Sequence, residues 1–129
     1  MEGEGVVDYL DSFIQDSEYL YRGVVDKMWL DDYGRPSSGI FTDSFGISVD
    51  RDGGRVKEDC LKTLFNTRKF KAICRIKTAD VRAIEAYPVY KPTIDNIYHS
   101  EIHDSEDKIQ ITSKRKARAL LAKSEIITN

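Results

Sequence analysis

A chain of 129 residues is long enough to bury one core and too short to require two, so residues 1–129 are expected to form a single domain. No apolar run approaches the roughly 20 residues of a membrane helix, and the acidic start Met1-Glu2-Gly3-Glu4-Gly5 lacks the basic and apolar segments of a secretory signal. With 33% charged residues and a net charge of −2, the composition suits a soluble cytoplasmic protein with no membrane association, and it disfavours a non-specific nucleic-acid coat.

In chain order, Val6, Leu10, Phe13 and Ile14 recur at helical spacing and predict an amphipathic helix over 4–17. Its early acids suit the positive end of the helix dipole. Tyr19 to Val25 is aromatic and β-branched and reads as a strand. Asp31 to Gly39 is dense in turn formers and reads as a long loop. Ile40-Phe41 is expected to begin a short strand and Gly46 to Asp50 a second, closed by a turn at Asp52-Gly53-Gly54. Val56, Cys60, Leu61, Leu64 and Phe65 return to helical spacing over 56–66. Phe70 to Ile76 alternates as a half-buried strand, and Thr78-Ala79-Asp80 turns into Val81–Ile84, a short helix or strand. Pro88 and Pro92 bracket an extended surface stretch, 97–103 is the next strand, and Ser113 caps a last helix to about residue 124. The expected class is therefore α+β: a small mixed or antiparallel sheet with an N-terminal, a central and a C-terminal helix. Cys60 and Cys74 match no zinc spacing and are expected to be buried as small hydrophobes.

Charge is unevenly distributed. Residues 1–18 carry six acidic side chains and no basic one; residues 108–123 carry six basic side chains and no acidic one. The two ends could pair with each other, or the basic end could meet a phosphate-rich partner such as nucleic acid. Lys114, Arg115 and Lys116 fall in the first turn of the last helix, where the dipole disfavours cations, which hints at an external anion.

The densest chemistry is His99-Ser100-Glu101-Ile102-His103-Asp104, which gathers both histidines around one carboxylate. On a strand His99, Glu101 and His103 share a face. Such a row can divide acid and base roles, or bind a metal through two of its members. The outer two stand roughly 13 Å apart at about 3.3 Å per residue, so all three cannot reach one ion without a bend. No metal site is assigned. Arg22, in an apolar strand, is costly to bury unless an anion or a chain carboxylate such as Glu101 meets it. Arg35 and Ser38 add donors on a Gly-bearing turn that can expose backbone N–H groups to phosphate. Trp29 is expected to fill a core edge rather than stack a base.

The order Leu20-Tyr21-Arg22-Gly23, then serine-bearing strands, then a strand with Glu101, resembles the layout of ADP-ribosyltransferase-like domains. The resemblance implies that Arg22 holds the phosphate or ribose of NAD or a related nucleotide, that Ser38 or Ser48 supports the site, and that Glu101 acts on the ribose with His99 assisting. The chain lacks the Ser-Thr-Ser triplet, and His99 stands where one large branch has Glu or Gln two residues before the glutamate. The chain also looks like an uncharacterised group of small bacterial proteins through Ser38-Gly39-Ile40-Phe41, Gly46-Ile47-Ser48-Val49-Asp50 and His99-Ser100-Glu101-Ile102.

Three functions compete. One is a non-catalytic component of a bacterial system that binds a protein partner or a phosphate-bearing ligand through its acidic first or basic last helix. Another is an enzyme acting on NAD or a nucleotide through Arg22, Ser48, His99 and Glu101. The third is a metal-dependent hydrolase or nuclease. Convergence of Arg22, Ser48 and Glu101 on one cleft would favour the nucleotide site.

Overall fold

A computed structural model describes residues 8–42 and 45–128. Six strands, β1 (Tyr19–Val24), β2 (Ile47–Arg51), β3 (Ala72–Lys77), β4 (Tyr87–Tyr90), β5 (His99–His103) and β6 (Glu125–Thr128), form one sheet. Their order is β4-β5-β2-β1-β3-β6, with every neighbouring pair antiparallel. Helices α1 (Lys57–Thr67), α2 (Thr78–Ala83) and α3 (Lys114–Lys123) complete the α+β fold, and among the described residues no helix is long and apolar enough to cross a membrane.

Strand periodicity divides the core in two. Leu20, Val24, Ile47, Val49, Cys74, Ile76 and Ile102 meet Val81 of α2 and Ala117 and Leu120 of α3 on one face. Tyr21 and Ile73 meet Cys60 and Leu64 of α1 on the other. The strand expected to be half-buried, β3, is thus covered on both sides, because Ile73 lies under α1 while its neighbours face the larger cluster. Both cysteines are free and buried, as their apolar settings imply. Pro88 lies within the edge strand β4, where a missing N–H costs no central ladder bond.

Two expected elements take other forms. Ile40 and Phe41 belong to a 3-10 turn, Ser38–Phe41, rather than a strand. A strand would send adjacent side chains to opposite faces, whereas this turn buries both against the core that α3 shares. The helix expected over 4–17 lies partly outside the described residues, and 8–17 is irregular. Its carbonyls serve side chains instead of helix bonds: Asp11 O and Phe13 O accept from the Arg51 guanidinium, and Ile14 O accepts from Arg82. Among the described members of the periodic set, Ile14 alone becomes deeply buried, while Phe13 is 54% exposed. Residues 125–128, assigned no element from the sequence, form the edge strand β6, pinned where Glu125 meets Lys57 and Arg75.

Candidate functional site

The polar face follows from register. Tyr21, under α1, lies opposite Asp50, and Asp50 lies opposite His99. Directly opposed residues share a face. Period two then carries Ser48 on β2, and Glu101 and His103 on β5, to that same face, with Ser48 directly opposite Glu101. The α1 helix packs over Tyr21 and Ile73, so the polar row stands beside it rather than beneath it.

Between β1 and β2 the sheet splits. The ladder pairs Leu20 with Arg51 and Tyr21 with Asp50, whereas β1 stays paired with β3 through Val24. Arg22 stands at that divergence. Its Nε donates to the Ile40 carbonyl at 3.0 Å and its Nη1 to the Ser48 carbonyl at 3.1 Å. Arg22 lies opposite Cys74 of the larger core, so its side chain leaves the sheet on the face away from Glu101 and reaches β2 through the split. Burial pushes the Cys74 thiol up to about 12, against the downward pull of the Arg22 charge.

A cleft of about 310 Å³ opens at the split, and Arg22, Ser48, Asp50 and His99 line it with Tyr21, Leu64, Arg68 and Phe70. It adjoins a hollow of about 480 Å³ that shares Asp50 and Arg68 and continues past Arg55, Asn96 and Tyr98. Both volumes fall within the range of small-ligand sites, about 300–1,000 Å³. Asp50 is held from one side, Asn96 donating to its Oδ1 at 2.9 Å. Glu101 does not line the cleft; it stands two residues along β5 from the ladder pair Asp50–His99 and bonds His103 at 2.7 Å. Gly23 brings the β1 backbone so close to the Phe70 ring that an added Cβ would clash with it, which lets Phe70 form one wall.

The remaining candidates are dispersed. Ser38 opens the 3-10 turn and does not line the cleft, so of the two serines considered only Ser48 does. Arg35 is exposed, pairs with Asp31 at 3.5 Å and lies over the Tyr33 ring. Lys116 is internal: its Nζ donates to the carbonyls of Glu85 and Asp104 and pairs with the Asp104 carboxylate. The dipole conflict at the start of α3 is therefore answered within the chain for Lys116, while Lys114 and Arg115 stay exposed. Trp29, expected to fill a core edge, is instead exposed at 42%, lies against Gly39 and joins neither core cluster. Among the described residues, no group of three or more His, Cys, Asp or Glu could hold a metal ion. A larger hollow, about 650 Å³, lies among Lys27, Asp31, Asp32, Lys69 and Lys71, with no predicted site residue on its wall.

Sequence reasoning missed Asp50 and Arg68 as cleft residues. Asp50 was legible as the strand neighbour two beyond Ser48, on the same face; Arg68, just past α1, carried no local signal. It also missed the pair formed by Glu18 and Arg51, which is buried at the other end of β2. Comparisons with family models, with curated proteins and with solved structures returned no match to this chain.

Proposed function

We propose that the cleft binds NAD or a related phosphate-bearing nucleotide and that the protein acts on it as an ADP-ribosyltransferase-like enzyme. The supporting observation is that Arg22, bonded to the Ser48 main-chain carbonyl at the β1–β2 split, lines one cleft with Ser48 and His99, while Glu101 is the direct cross-strand partner of Ser48. Convergence is partial: Arg22 and Ser48 line the cleft, whereas Glu101 stands outside it, opposite Ser48 on β5. The donor set fits the ligand chemistry. A guanidinium suits phosphate, a hydroxyl suits ribose oxygens, and a carboxylate suits positive charge developing on a sugar.

In this reading NAD supplies a ribose whose C1′–N bond breaks with its electron pair leaving on nicotinamide. With the ribose extending past Ser48 beyond the cleft wall, the Glu101 carboxylate meets the positive charge that builds on it. His99, on the cleft wall, takes the proton of the incoming oxygen nucleophile as the new C1′–O bond forms. Arg22 and Arg68 offer the phosphates their positive charge, and Asp50 offers ribose hydroxyls an acceptor.

Thermal unfolding with and without NAD or ADP-ribose tests binding, and nicotinamide release from NAD tests turnover. Both ligands are expected to raise the melting temperature, Arg22→Ala to abolish the rise, and Glu101→Gln to keep binding but lose turnover. No thermal response to either ligand, together with no effect of Glu101→Ala, overturns the reading. A second reading has its own support in α3, which exposes Lys114, Arg115, Arg118 and Lys123. There the protein is a non-catalytic partner in a bacterial system, meeting a phosphate-bearing or acidic surface. Binding of ADP-ribose without any turnover, with capture of such a partner lost on reversing these charges, selects it.

A further inference from the structure

We infer that His103 is the positioning residue for Glu101, holding its carboxylate in the orientation that the nucleotide reaction needs. This rests on the reading of Glu101 as the acting carboxylate. His103 Nε2 stands 2.7 Å from Glu101 Oε1, close enough for a strong hydrogen bond to an ionised acceptor. The two side chains are only 11% and 18% exposed, so solvent competes weakly for the bond. On its flanks Glu101 has Ser48 of β2 on one side and Val89 of β4 on the other. Val89 offers no side-chain donor, and the bond that Glu101 makes is the one along the strand to His103, which selects one carboxylate rotamer among several.

Gly46 gives the pair its seat. Its backbone has φ +93°, and an added Cβ there would stand 2.9 Å from Glu101 Oε1 and 3.0 Å from the His103 ring. Only a residue without a side chain leaves room for both groups in a conformation that L-residues seldom adopt. A glycine that clears space for a carboxylate and an imidazole, next to the cleft-lining Ser48, is an arrangement that orients Glu101 rather than merely burying it. The geometry also separates the histidines: His99 lines the cleft, whereas His103 reaches Glu101 from the far side.

Nicotinamide release from NAD by the chain of 129 residues, compared across variants, tests this. Glutamine carries its amide nitrogen near the position of Nε2, whereas asparagine falls short of it. His103→Ala and His103→Asn are expected to lower kcat by about 10–100-fold, the scale of a misplaced catalytic group. KM for NAD should stay nearly constant, because the interaction is realised in the transition state. His103→Gln is expected to recover most of kcat. If His103→Ala fails to fold, the contrast between asparagine and glutamine decides. Wild-type kcat in the asparagine variant, with Glu101→Gln inactive, overturns the positioning role and leaves the nucleotide reading intact. An active Glu101→Gln variant, or absence of any turnover in the wild type, overturns both.

Discussion

Glu18 and Arg51 show how one residue pair can organise a chain end. Arg51 Nε and Nη2 grip the two carboxylate oxygens of Glu18 at 3.0 and 2.6 Å, and Nη1 holds the Asp11 carbonyl. Its guanidinium also stacks on Tyr90. Burial pushes the Glu18 carboxyl up, but the Arg51 guanidinium and the backbone N–H groups of Gln15 and Gly53 outweigh it, so the net shift is downward. A lowered carboxyl contributes stability that is present above the ordinary value of 4.5 and lost as pH falls through the folded value. Glu18→Gln should therefore flatten the acid limb of a urea-midpoint series. Arg51→Ala should cost about 3–5 kcal/mol at neutral pH by leaving a buried carboxylate unpaired. A midpoint unchanged in either variant would contradict this. At the alkaline end the sign reverses. Burial pushes Tyr21 up to about 12 from 10.0, and Cys74 up to about 12 from 9.0. The folded state holds these protons more tightly, so stability is whole below pH 9.0 and falls as pH rises towards 12. Tyr21→Phe should remove its share of that fall, and a urea midpoint that stays flat across the window would refute the assignment.

Among the elements, α3 is the one whose sequence signals are most fully used. Ser113 Oγ accepts from the Lys116 N–H at 3.1 Å, as its place before the periodic residues predicts. Ser113→Ala is expected to cost about 1 kcal/mol in thermal or urea unfolding. The three basic residues of the first turn should then separate. Lys116→Ala removes two charge-assisted bonds to the Glu85 and Asp104 carbonyls and is expected to cost about 1.5–3 kcal/mol. Lys114→Ala and Arg115→Ala, both exposed, are expected to stay within about 0.5 kcal/mol of the wild type. Equal effects at all three positions would show that Lys116 is not the internal member.

For the molecule as a whole, residues 8–18 act as a strap across the end of the sheet. Leu10 N–H donates to the Tyr90 hydroxyl on β4, Arg82 after β3 holds Ile14 O and the Asp16 carboxylate, and Arg51 on β2 holds Asp11 O and Phe13 O. Ile14 itself is 2% exposed. A chain beginning at Ser17 should lose about 3 kcal/mol or more, because burial of one Ile is lost along with the acceptors of two arginines. Chemical denaturation measures it, and an unchanged midpoint would rule out the strap. Of the six acids in 1–18, Asp16 and Glu18 pair with Arg82 and Arg51 rather than with the basic stretch 108–123.

Local pattern alone sufficed for β1, β2, α1, β5 and α3, because periodicity and caps depend on neighbours a few residues apart. It also put His99, Glu101 and His103 on one face, since a strand's period is two. It failed where distant groups chose the backbone's partners. The apolar spacing of 4–17 is helical, but Arg51 and Arg82 claim the carbonyls within 8–17; Ile40 and Phe41 turn inward together because α3 shares their core. The edge strand β6 exists because β3 offers it a ladder and Arg75 and Lys57 offer Glu125 their charge. In the site, the types Arg22, Ser48 and Glu101 were visible in sequence order, but their relation was not. Only the tertiary structure decided that β1 and β2 part beyond Tyr21, that Arg22 reaches Ser48 through the gap, and that Glu101 turns to His103. The physical reason is that a ladder's length and a carboxylate's rotamer are set by contacts between residues far apart in the chain, which no local period encodes.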